Sequence, residues 1–311
     1  MKPQLRLSIP LFLLLIASAC SDPAAPEPKG LDIEGPVLAA PSQLRACSDS
    51  TAIILAWTPS ADEDKSDFAG YYIIATDTRN GKARYLDIGL DSSYRVGELE
   101  NGVMYRIDLH CKTVRNTLSG EHASITWSPA RRRNQVTYSK PIRIYANTST
   151  GLLMYPAADL WNPNGEIELM EMDDPAFRER ASLYVHTLGS SSALIIRSPE
   201  LALNPGPRTR FADWTNSGYV IEANSLNEQL ASSPPDTAAY TATYITLPNG
   251  TYPKGRVYFG KLLRPGGDIY FRMLVKRGPY GRMAQGTGDN RYIEIEVSVQ
   301  SVAGNPFAKR G

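Results

Sequence analysis

The sequence has little of the chemistry on which many enzymes and nucleic-acid-binding proteins depend. Its 33 Lys and Arg residues nearly balance 32 Asp and Glu residues, for a formal net charge of +1. A near-neutral chain lacks the basic surface that displaces counterions from nucleic acid, so we expect no nucleic-acid partner. Only three histidines occur, and a metal site or Ser-His-Asp triad in the C-terminal region would depend on His186 alone. No Walker or dinucleotide-binding fingerprint occurs, and we expect no cofactor and no metal.

Long apolar stretches with a helical period are also scarce, whereas proline (23) and glycine (24) are plentiful. This combination is typical of strands joined by turns, and a hydrophobic content of 42% is enough to bury a core. A chain of 311 residues has room for two ordinary domains. We therefore predict an all-β protein of two domains. The strand patterns and motifs described below place one sandwich over residues 37–130 and a second β-sandwich or jelly-roll-like domain over residues 134–311.

The first twenty residues have the pattern of a secretion signal. Lys2 and Arg6 precede an apolar run that is too short to span a bilayer, which takes roughly 20 apolar residues. The run ends in Ala17-Ser18-Ala19-Cys20, which resembles the lipobox of bacterial lipoproteins, although Ala17 stands where leucine is usual. The resemblance implies that Cys20 is lipidated and begins the mature chain. The alternative is an ordinary cleaved signal in which Cys20 has no role.

A tether follows the signal over residues 21–36. Its first part, SDPAAPEPKG, has no core-forming residue and is typical of a semi-extended spacer that holds a domain away from a surface. Ser21, where Asp would favour retention at the inner membrane, implies by the same resemblance a place at the outer membrane. The expected partner is thus the membrane, reached through the lipid anchor, and the expected location is the periplasmic face or the surface of the cell envelope.

Alternating apolar residues recur at short intervals between residues 37 and 130, which predicts about seven antiparallel strands. Five motifs lie in this region, namely Pro41-Ser42-Gln43-Leu44, Trp57-Thr58-Pro59, Gly70-Tyr71-Tyr72-Ile73, Leu99-Glu100-Asn101-Gly102-Val103-Met104-Tyr105 and Trp127-Ser128-Pro129-Ala130. In this order they resemble those of a fibronectin type III domain. The resemblance implies a tyrosine corner at Tyr105 and a structural core that includes Trp57, Tyr71, Leu99, Gly102 and Tyr105.

Four acidic residues, Asp62, Glu63, Asp64 and Asp67, lie between the second and third predicted strands. A calcium loop needs six to eight oxygen ligands, and Ile73 occupies the position where an EF-hand beginning at Asp62 would place its bidentate glutamate. We therefore predict a solvated loop whose charge opposes edge pairing, without metal binding.

Two cysteines remain once Cys20 is lipidated. An even pair in an exported protein favours a disulfide between Cys47 and Cys111. Type III topology instead implies that they lie near opposite poles of the sandwich, whereas a bridge needs α-carbons within about 7 Å. Because distance limits the bond directly, we expect both thiols to stay free.

The C-terminal region begins after Arg131-Arg132-Arg133, which we interpret as an inter-domain linker; contact with acidic lipid is the alternative. Alternation predicts strands at 182–188, 193–196, 256–259, 268–275 and 292–299. Arg264-Pro265-Gly266-Gly267 is a turn signal between two of them.

Aromatic residues in turns provide the candidate ligand-binding residues: Trp161, Trp214 and Tyr219. They stand beside Asn, Asp and Gly, an arrangement that suits a sugar ring packed on an aromatic face with amides on its hydroxyls. The alternative is that these rings cap the core, as large aromatic side chains commonly do.

Acidic residues of the same region leave an enzymatic alternative open. Carboxylate pairs for glycoside hydrolysis could come from Glu166, Glu168, Glu171, Asp173 and Asp174, although separation in space cannot be deduced from sequence. Our first hypothesis is a non-catalytic, lipid-anchored envelope protein whose type III module presents a β domain for binding a glycan or an envelope protein, or for surface assembly. The second is a secreted glycoside hydrolase or esterase with an accessory type III module.

Overall fold

The computed structural model describes residues 38–133, 142–147, 156–160, 167–171, 175, 179–187, 193–203, 206–215, 219–226, 236–300 and 302–306. In these residues the chain is all-β, as the sequence predicts, with strands in three hydrogen-bonded sheets. Cys20, the tether and Trp161 lie outside the described residues, as do Glu166, Asp173 and Asp174.

The N-terminal region is a sandwich of two antiparallel sheets. Its strands are β1 (Ser42–Asp49), β2 (Ala52–Thr58), β3 (Phe68–Asp77), β4 (Ala83–Gly89), β5 (Ser93–Val96), β6 (Tyr105–Thr113) and β7 (Leu118–Trp127). The three-stranded sheet has the order β1-β2-β5 and the four-stranded sheet has the order β4-β3-β6-β7. The sequence analysis predicts an antiparallel sandwich of about seven strands here, and these seven strands agree with it.

Alternation along the strands produces the sandwich core. Ile53, Leu55 and Trp57 of β2 are buried, and they pack with Ile107 and Leu109 of β6 in one hydrophobic cluster. Because successive strand residues point to opposite faces, this spacing directs one face of each strand inwards. Each such side chain contributes roughly 1.5–3 kcal/mol of burial free energy.

The chain enters β6 through a tyrosine corner. The Tyr105 hydroxyl accepts a hydrogen bond from the backbone N–H of Glu100 at 3.1 Å, which ties the loop to the strand that follows it. Leu99 is buried beside it, and Gly102 has a φ of +87°, a conformation that favours glycine.

The C-terminal region contains one 13-stranded sheet. Its strands are β8 (Arg131–Arg133), β9 (Ile142–Asn147), β10 (Pro156–Asp159), β11 (Glu168–Glu171), β12 (Leu183–Thr187), β13 (Leu194–Arg197), β14 (Arg208–Ala212), β15 (Ile221–Ala223), β16 (Tyr240–Ala242), β17 (Tyr244–Thr246), β18 (Gly255–Leu263), β19 (Ile269–Val275) and β20 (Tyr292–Val299). The main order is β11-β10-β12-β9-β20-β19-β18-β14-β16. Of the remaining strands, β13 pairs with β12 and β17, β15 pairs with β18, and β8 pairs with β20.

The large sheet curls over a common core. Side chains from near both ends of its strand order, such as Ala158 of β10 and Phe211 of β14, belong to a single hydrophobic cluster. The β18–β19 hairpin turns through Arg264 to Gly267, as the sequence predicts, and Gly267 has a φ of +116°. Phe271, Met273 and Val275 belong to this core, so the intervening residues of β19 face the other side of the sheet.

The expected linker at Arg131–Arg133 is a strand instead. These residues form β8, which pairs antiparallel with β20 from Val297 to Val299. The chain therefore passes from β7 into the second sheet through Ser128-Pro129-Ala130, without a spacer. Sequence alone missed this because a run of like charges gives no signal of pairing with a strand more than a hundred residues away.

Arg272 joins the two regions, and we call its surroundings the joint. Its side chain on β19 is 0% exposed. One Nη donates to the Leu226 carbonyl at 3.1 Å and to the Cys47 Sγ at 3.0 Å, and the other Nη donates to the Ser48 carbonyl. Since Cys47 and Ser48 belong to β1, one side chain of the large sheet binds the end of the sandwich.

Further polar contacts complete the joint. The Asn305 side-chain amide donates to the Ser128 hydroxyl at 3.1 Å and to the Gly102 carbonyl at 2.9 Å. The Ser48 hydroxyl donates to the Ser128 carbonyl at 2.8 Å and accepts from the Trp127 indole at 3.0 Å. Buried polar groups need such partners, and here the partners come from both regions.

Candidate functional site

The acidic loop caps the free pole of the sandwich. Asp62 accepts a hydrogen bond from the Ala39 backbone N–H at 2.8 Å and forms a 2.9 Å ion pair with Lys65. The Tyr71 hydroxyl donates to Glu63 at 2.6 Å and accepts from the Ser60 backbone N–H at 2.8 Å. These contacts fix the loop against the start of the described chain.

The four acidic residues of the loop fall into two groups: Asp62 and Glu63 accept specific hydrogen bonds, and Asp64 and Asp67 face solvent. The Ala39 N–H, and then Lys65, hold the pKa of Asp62 below its ordinary value. Burial and the Glu63 hydrogen bond raise the pKa of the Tyr71 phenol. Asp64 and Asp67 are exposed. The expectation of a wholly solvated loop is thus wrong for Asp62 and Glu63, because each satisfies a specific donor.

The two described cysteines are free and buried. The Cys111 thiol donates to the Ala39 carbonyl at 3.3 Å beside the acidic loop, and the Cys47 thiol donates to the Leu226 carbonyl at 3.4 Å in the joint. Their partners lie at opposite poles of the sandwich, where the type III topology implied the cysteines would be.

The histidines and acids do not form a metal centre in the described part of the chain, where no group of three or more His, Cys, Asp or Glu is placed to hold a metal ion. His110 and His122 stack on each other with ring centroids 4.5 Å apart. His186 lies on β12 and is half-buried. Glu168 and Glu171 lie at the ends of β11, and their side chains are outside the described set.

Trp214 and Tyr219 pack against hydrophobic clusters. Trp214 is half-buried against the main core, with its ring centroid 6.3 Å from that of Tyr244. Tyr219 packs against the cluster that contains Leu226 and Tyr240 on the other face of the sheet. Neither residue lines the cleft described next, and their positions fit the alternative in which the rings cap a core.

A cleft of about 590 Å³ lies beside the start of β20. Most of its lining comes from the loop that connects β19 to β20, and Thr251 contributes from a neighbouring segment. Its polar and aromatic groups are those of Thr251, Tyr280, Arg282, Gln285, Thr287 and Tyr292. None of the ten lining residues is Asp or Glu, so the cleft contains no carboxylate pair.

Backbone hydrogen bonds and glycines hold the cleft loop in shape. The Gly278 N–H donates to the Arg282 carbonyl at 2.9 Å, and Gln285 and Tyr292 exchange two backbone bonds of 2.9 Å. Gly281 and Gly286 have φ values of +77° and +75°, and an added Cβ on Gly286 would overlap the Asn290 carbonyl. Met283, fully buried in the main core, anchors the middle of the loop.

One ring wall of the cleft is supported from behind. The Tyr292 ring contacts Tyr145 at a centroid distance of 5.3 Å and lies 4.9 Å from the Arg143 guanidinium. Glu294 forms ion pairs with Arg143 at 3.4 Å and with Lys276 at 3.5 Å. Arg143 and Lys276, the cations behind the Tyr292 ring, are therefore both paired with Glu294 of β20.

The cleft loop presents two side chains to solvent. Tyr280 is 88% exposed at the tip of Gly278-Pro279-Tyr280-Gly281. Arg282 is exposed, and its guanidinium makes no hydrogen bond or ion pair with the described residues. Sequence analysis missed this loop although its signal is the one used for the tryptophans, an aromatic residue between turn-forming residues.

The joint and the cleft lie towards opposite ends of β20. The joint contacts β20 at Ser298, which pairs with Arg272. It also includes Gln300, the residue directly after β20, whose side-chain amide donates to the Pro129 carbonyl. The cleft contacts the strand at Tyr292. With a rise of about 3.3 Å per residue, these ends are about 20 Å apart or more.

Comparison with known proteins finds structural neighbours for 30% of the chain. No family model matches the sequence, and no curated protein matches it. A solved myokine structure is 12% identical with a TM-score of 0.25, covering 30% of this chain and 98% of its own. The FN5 domain of Drosophila Lar is 21% identical with a TM-score of 0.24, again covering 30% of this chain and 98% of its own. Among the described residues, no helix has the length and apolar content to cross a membrane.

Proposed function

We propose that this chain is a lipid-anchored protein of the cell envelope, at the outer membrane, that binds a glycan or an envelope protein in the Tyr280 cleft. The observation that carries the proposal is the composition of the cleft: an exposed aromatic ring, an amide, hydroxyls and a cation without a carboxylate. Such a set provides stacking and hydrogen bonding, which recognise a ligand. It provides no acid and base pair, so this cleft is not the place for carboxylate-based hydrolysis.

The order of contacts along the molecule supports a spacer role for the N-terminal sandwich. Ala39, next to the start of the described chain, bonds to the acidic loop at one pole, and the joint occupies the other pole at Cys47 and Ser48. The eight residues of β1 run between the two poles, which is about 26 Å of strand. A tether attached before residue 38 thus enters at the pole away from the cleft-bearing region.

The anchor is tested by cell fractionation of the full-length protein. We expect Cys20→Ala to release the protein from membranes, because acyl chains on Cys20 would supply the attachment. Cys47→Ala removes a different thiol and serves as the control, with membrane attachment unchanged. A Cys20→Ala protein that stays in the membrane fraction would contradict the anchor.

The binding role is tested with the same protein on arrays of envelope glycans and envelope proteins. We expect retention by one class and its loss in Tyr280→Ala, with retention kept in Tyr280→Phe because the ring remains. Circular dichroism checks that both variants are folded. Equal retention of the wild type and Tyr280→Ala on every array would exclude the cleft as the binding site.

A further inference from the structure

We propose, building on the proposed binding role, that the ligand of the Tyr280 cleft is a carboxylated glycan. In this arrangement a sugar ring stacks on Tyr280, and its carboxylate pairs with the Arg282 guanidinium. Gln285 and Thr287 bind ring hydroxyls.

Arg282 is the first reason for an acidic ligand. It lines the cleft, is exposed, and has no acidic partner among the described residues. Two other arginines of this region are occupied within the fold: Arg143 pairs with Glu294, and Arg277 donates to the carbonyls of Tyr252 and Pro253. A guanidinium presents a planar fork of donors that matches the two oxygens of a carboxylate.

The second reason is the charge balance of the cleft wall. The cleft lining contains one cation and no anion. The nearest described carboxylate of β20, Glu294, is already neutralised by Arg143 and Lys276. Among the lining residues, an anion therefore meets the positive charge of Arg282, whereas a cationic ligand would find no carboxylate to pair with.

The geometry of the Tyr280 turn favours a sugar ring beside the charge. Tyr280 and Arg282 flank Gly281, whose N–H donates to the Gly278 carbonyl at 3.0 Å and whose φ is +77°. The turn thus keeps Tyr280 and Arg282, which both line the cleft, two positions apart on a fixed backbone, and recognition of a uronate needs both a ring face and a guanidinium. The Gln285 side chain, which contributes an amide, would lie only 2.7 Å from a Cβ added to Gly278, so this glycine keeps the amide next to the turn.

The decisive probe is a pair of ligands that differ only in charge. We would measure binding of the full-length protein to galacturonate hexamers and to their methyl esters by calorimetry, after an array of uronates, sialates and their neutral counterparts. We expect the acid to bind about fivefold to tenfold more tightly than its ester, since one exposed charged contact is involved. Salt should weaken binding of the acid and leave the ester unchanged.

Variants separate the ring from the charge. Arg282→Gln should remove the preference for the acid and leave binding of the ester intact. Arg208→Gln is the matched control, because Arg208 is an exposed arginine at the far end of the β18 pairing, opposite Leu263. Tyr280→Ala should weaken the acid and the ester alike by about tenfold, and Tyr280→Phe should not.

Each outcome decides between the two proposals. Equal binding of every acid and its neutral counterpart, or an unchanged preference in Arg282→Gln, would overturn the carboxylated-glycan ligand while leaving the binding role in place. If no glycan binds but an envelope protein binds in a Tyr280-dependent way, the glycan inference fails and the binding role stands. If nothing on either array depends on Tyr280, both fail.

Discussion

Two arginines that stand ten residues apart, Arg272 in the joint and Arg282 in the cleft, show how differently the same side chain is used. Arg272 is completely buried and donates to Ser48, Leu226 and Cys47, which all come from other parts of the fold. Arg282 is exposed and makes no side-chain hydrogen bond or ion pair with the described residues. The difference lies in the surroundings: one cation is used within the fold, and the other is available to a ligand.

The comparison also separates stability from binding. Removing a buried guanidinium leaves the buried acceptors that it bonded without a hydrogen-bond donor, which lowers the free energy of unfolding. Removing an exposed one costs the fold little. The joint should therefore determine whether the two regions unfold together, and the cleft should determine what the molecule binds.

The largest effect is expected for Arg272→Ala. Truncation leaves a cavity and unsatisfied carbonyls in the joint, and we expect a loss of about 3–5 kcal/mol in the free energy of unfolding. Because the joint couples the sandwich to the large sheet, the single transition should split into two. Denaturant unfolding followed by tryptophan fluorescence and calorimetry measures both effects.

Two further variants test the physical reason. Arg272→Met keeps much of the volume but removes a buried charge whose Nε has no hydrogen-bond partner in the described residues, so the loss should be only about 1–2 kcal/mol. Arg208→Ala removes an exposed arginine and should change stability by less than about 0.5 kcal/mol. If Arg272→Ala were as mild as Arg208→Ala, the contrast between joint and cleft would be wrong.

The next effect concerns the backbone of the cleft loop. Gly286→Ala combines a left-handed φ of +75° with overlap of the added Cβ and the Asn290 carbonyl. The free energy of unfolding should fall by about 2–3 kcal/mol, and ligand binding should be weakened because the cleft loop is distorted. Gly288 has a φ of +55° but open space around a Cβ, so Gly288→Ala should cost about 1 kcal/mol. Gly266 has open space and no left-handed φ, and its alanine variant should be nearly neutral. Unfolding free energies that fail to follow this order would contradict a rigid loop.

Parts of the molecule governed by local rules could be predicted from sequence. Alternation predicted β19 and β20 within a residue or so, and the turn between β18 and β19 followed from its proline and two glycines. The resemblance of the Leu99–Tyr105 motif to that of type III domains likewise implied the tyrosine corner, which is a contact over only five residues.

Parts governed by long-range contacts could not. Arg272 in Ile-Tyr-Phe-Arg-Met-Leu-Val has the pattern of a polar residue on the solvent face of a strand. It is buried because Cys47 and Ser48, more than 220 residues earlier, cover that face. The cleft is intermediate between these two cases. The turn at Tyr280 is local, but Tyr292 joins the cleft through its pairing with Gln285, and Thr251 lies beside the turn because the next residue's N–H donates to the Gly281 carbonyl.

A smaller effect, confined to the sandwich, is expected from His110. The ring is buried, donates through Nδ1 to the Ser119 carbonyl at 3.0 Å and stacks on His122, with Asp108 also nearby. Burial lowers the pKa of His110 below its ordinary value of 6.5. The unfolded chain therefore takes up the proton first, and stability should fall as the pH is lowered through about 6.5.

His110→Gln should flatten this dependence between about pH 7.5 and pH 5.5, a window above the ordinary titration of carboxylates. His186→Gln, in the large sheet, is the control and should leave the dependence of the unfolding free energy on pH unchanged. Unfolding free energies across the window provide the test. A slope that vanished with His186 rather than His110 would assign the acid sensitivity to the other region.

The smallest effect on stability is expected for Tyr280→Ala, and this small effect completes the comparison between joint and cleft. The side chain is 88% exposed, so folding buries little of its area, and the unfolding free energy should change by less than about 0.5 kcal/mol. Tyr292→Ala, whose ring contacts Tyr145 and the Arg143 guanidinium, should cost about 1–2 kcal/mol. An aromatic residue that the fold does not need, on a loop that the fold holds rigid, is then explained by what it binds. A large loss of stability in Tyr280→Ala would instead make Tyr280 part of the fold and remove the main support for the cleft as a binding site.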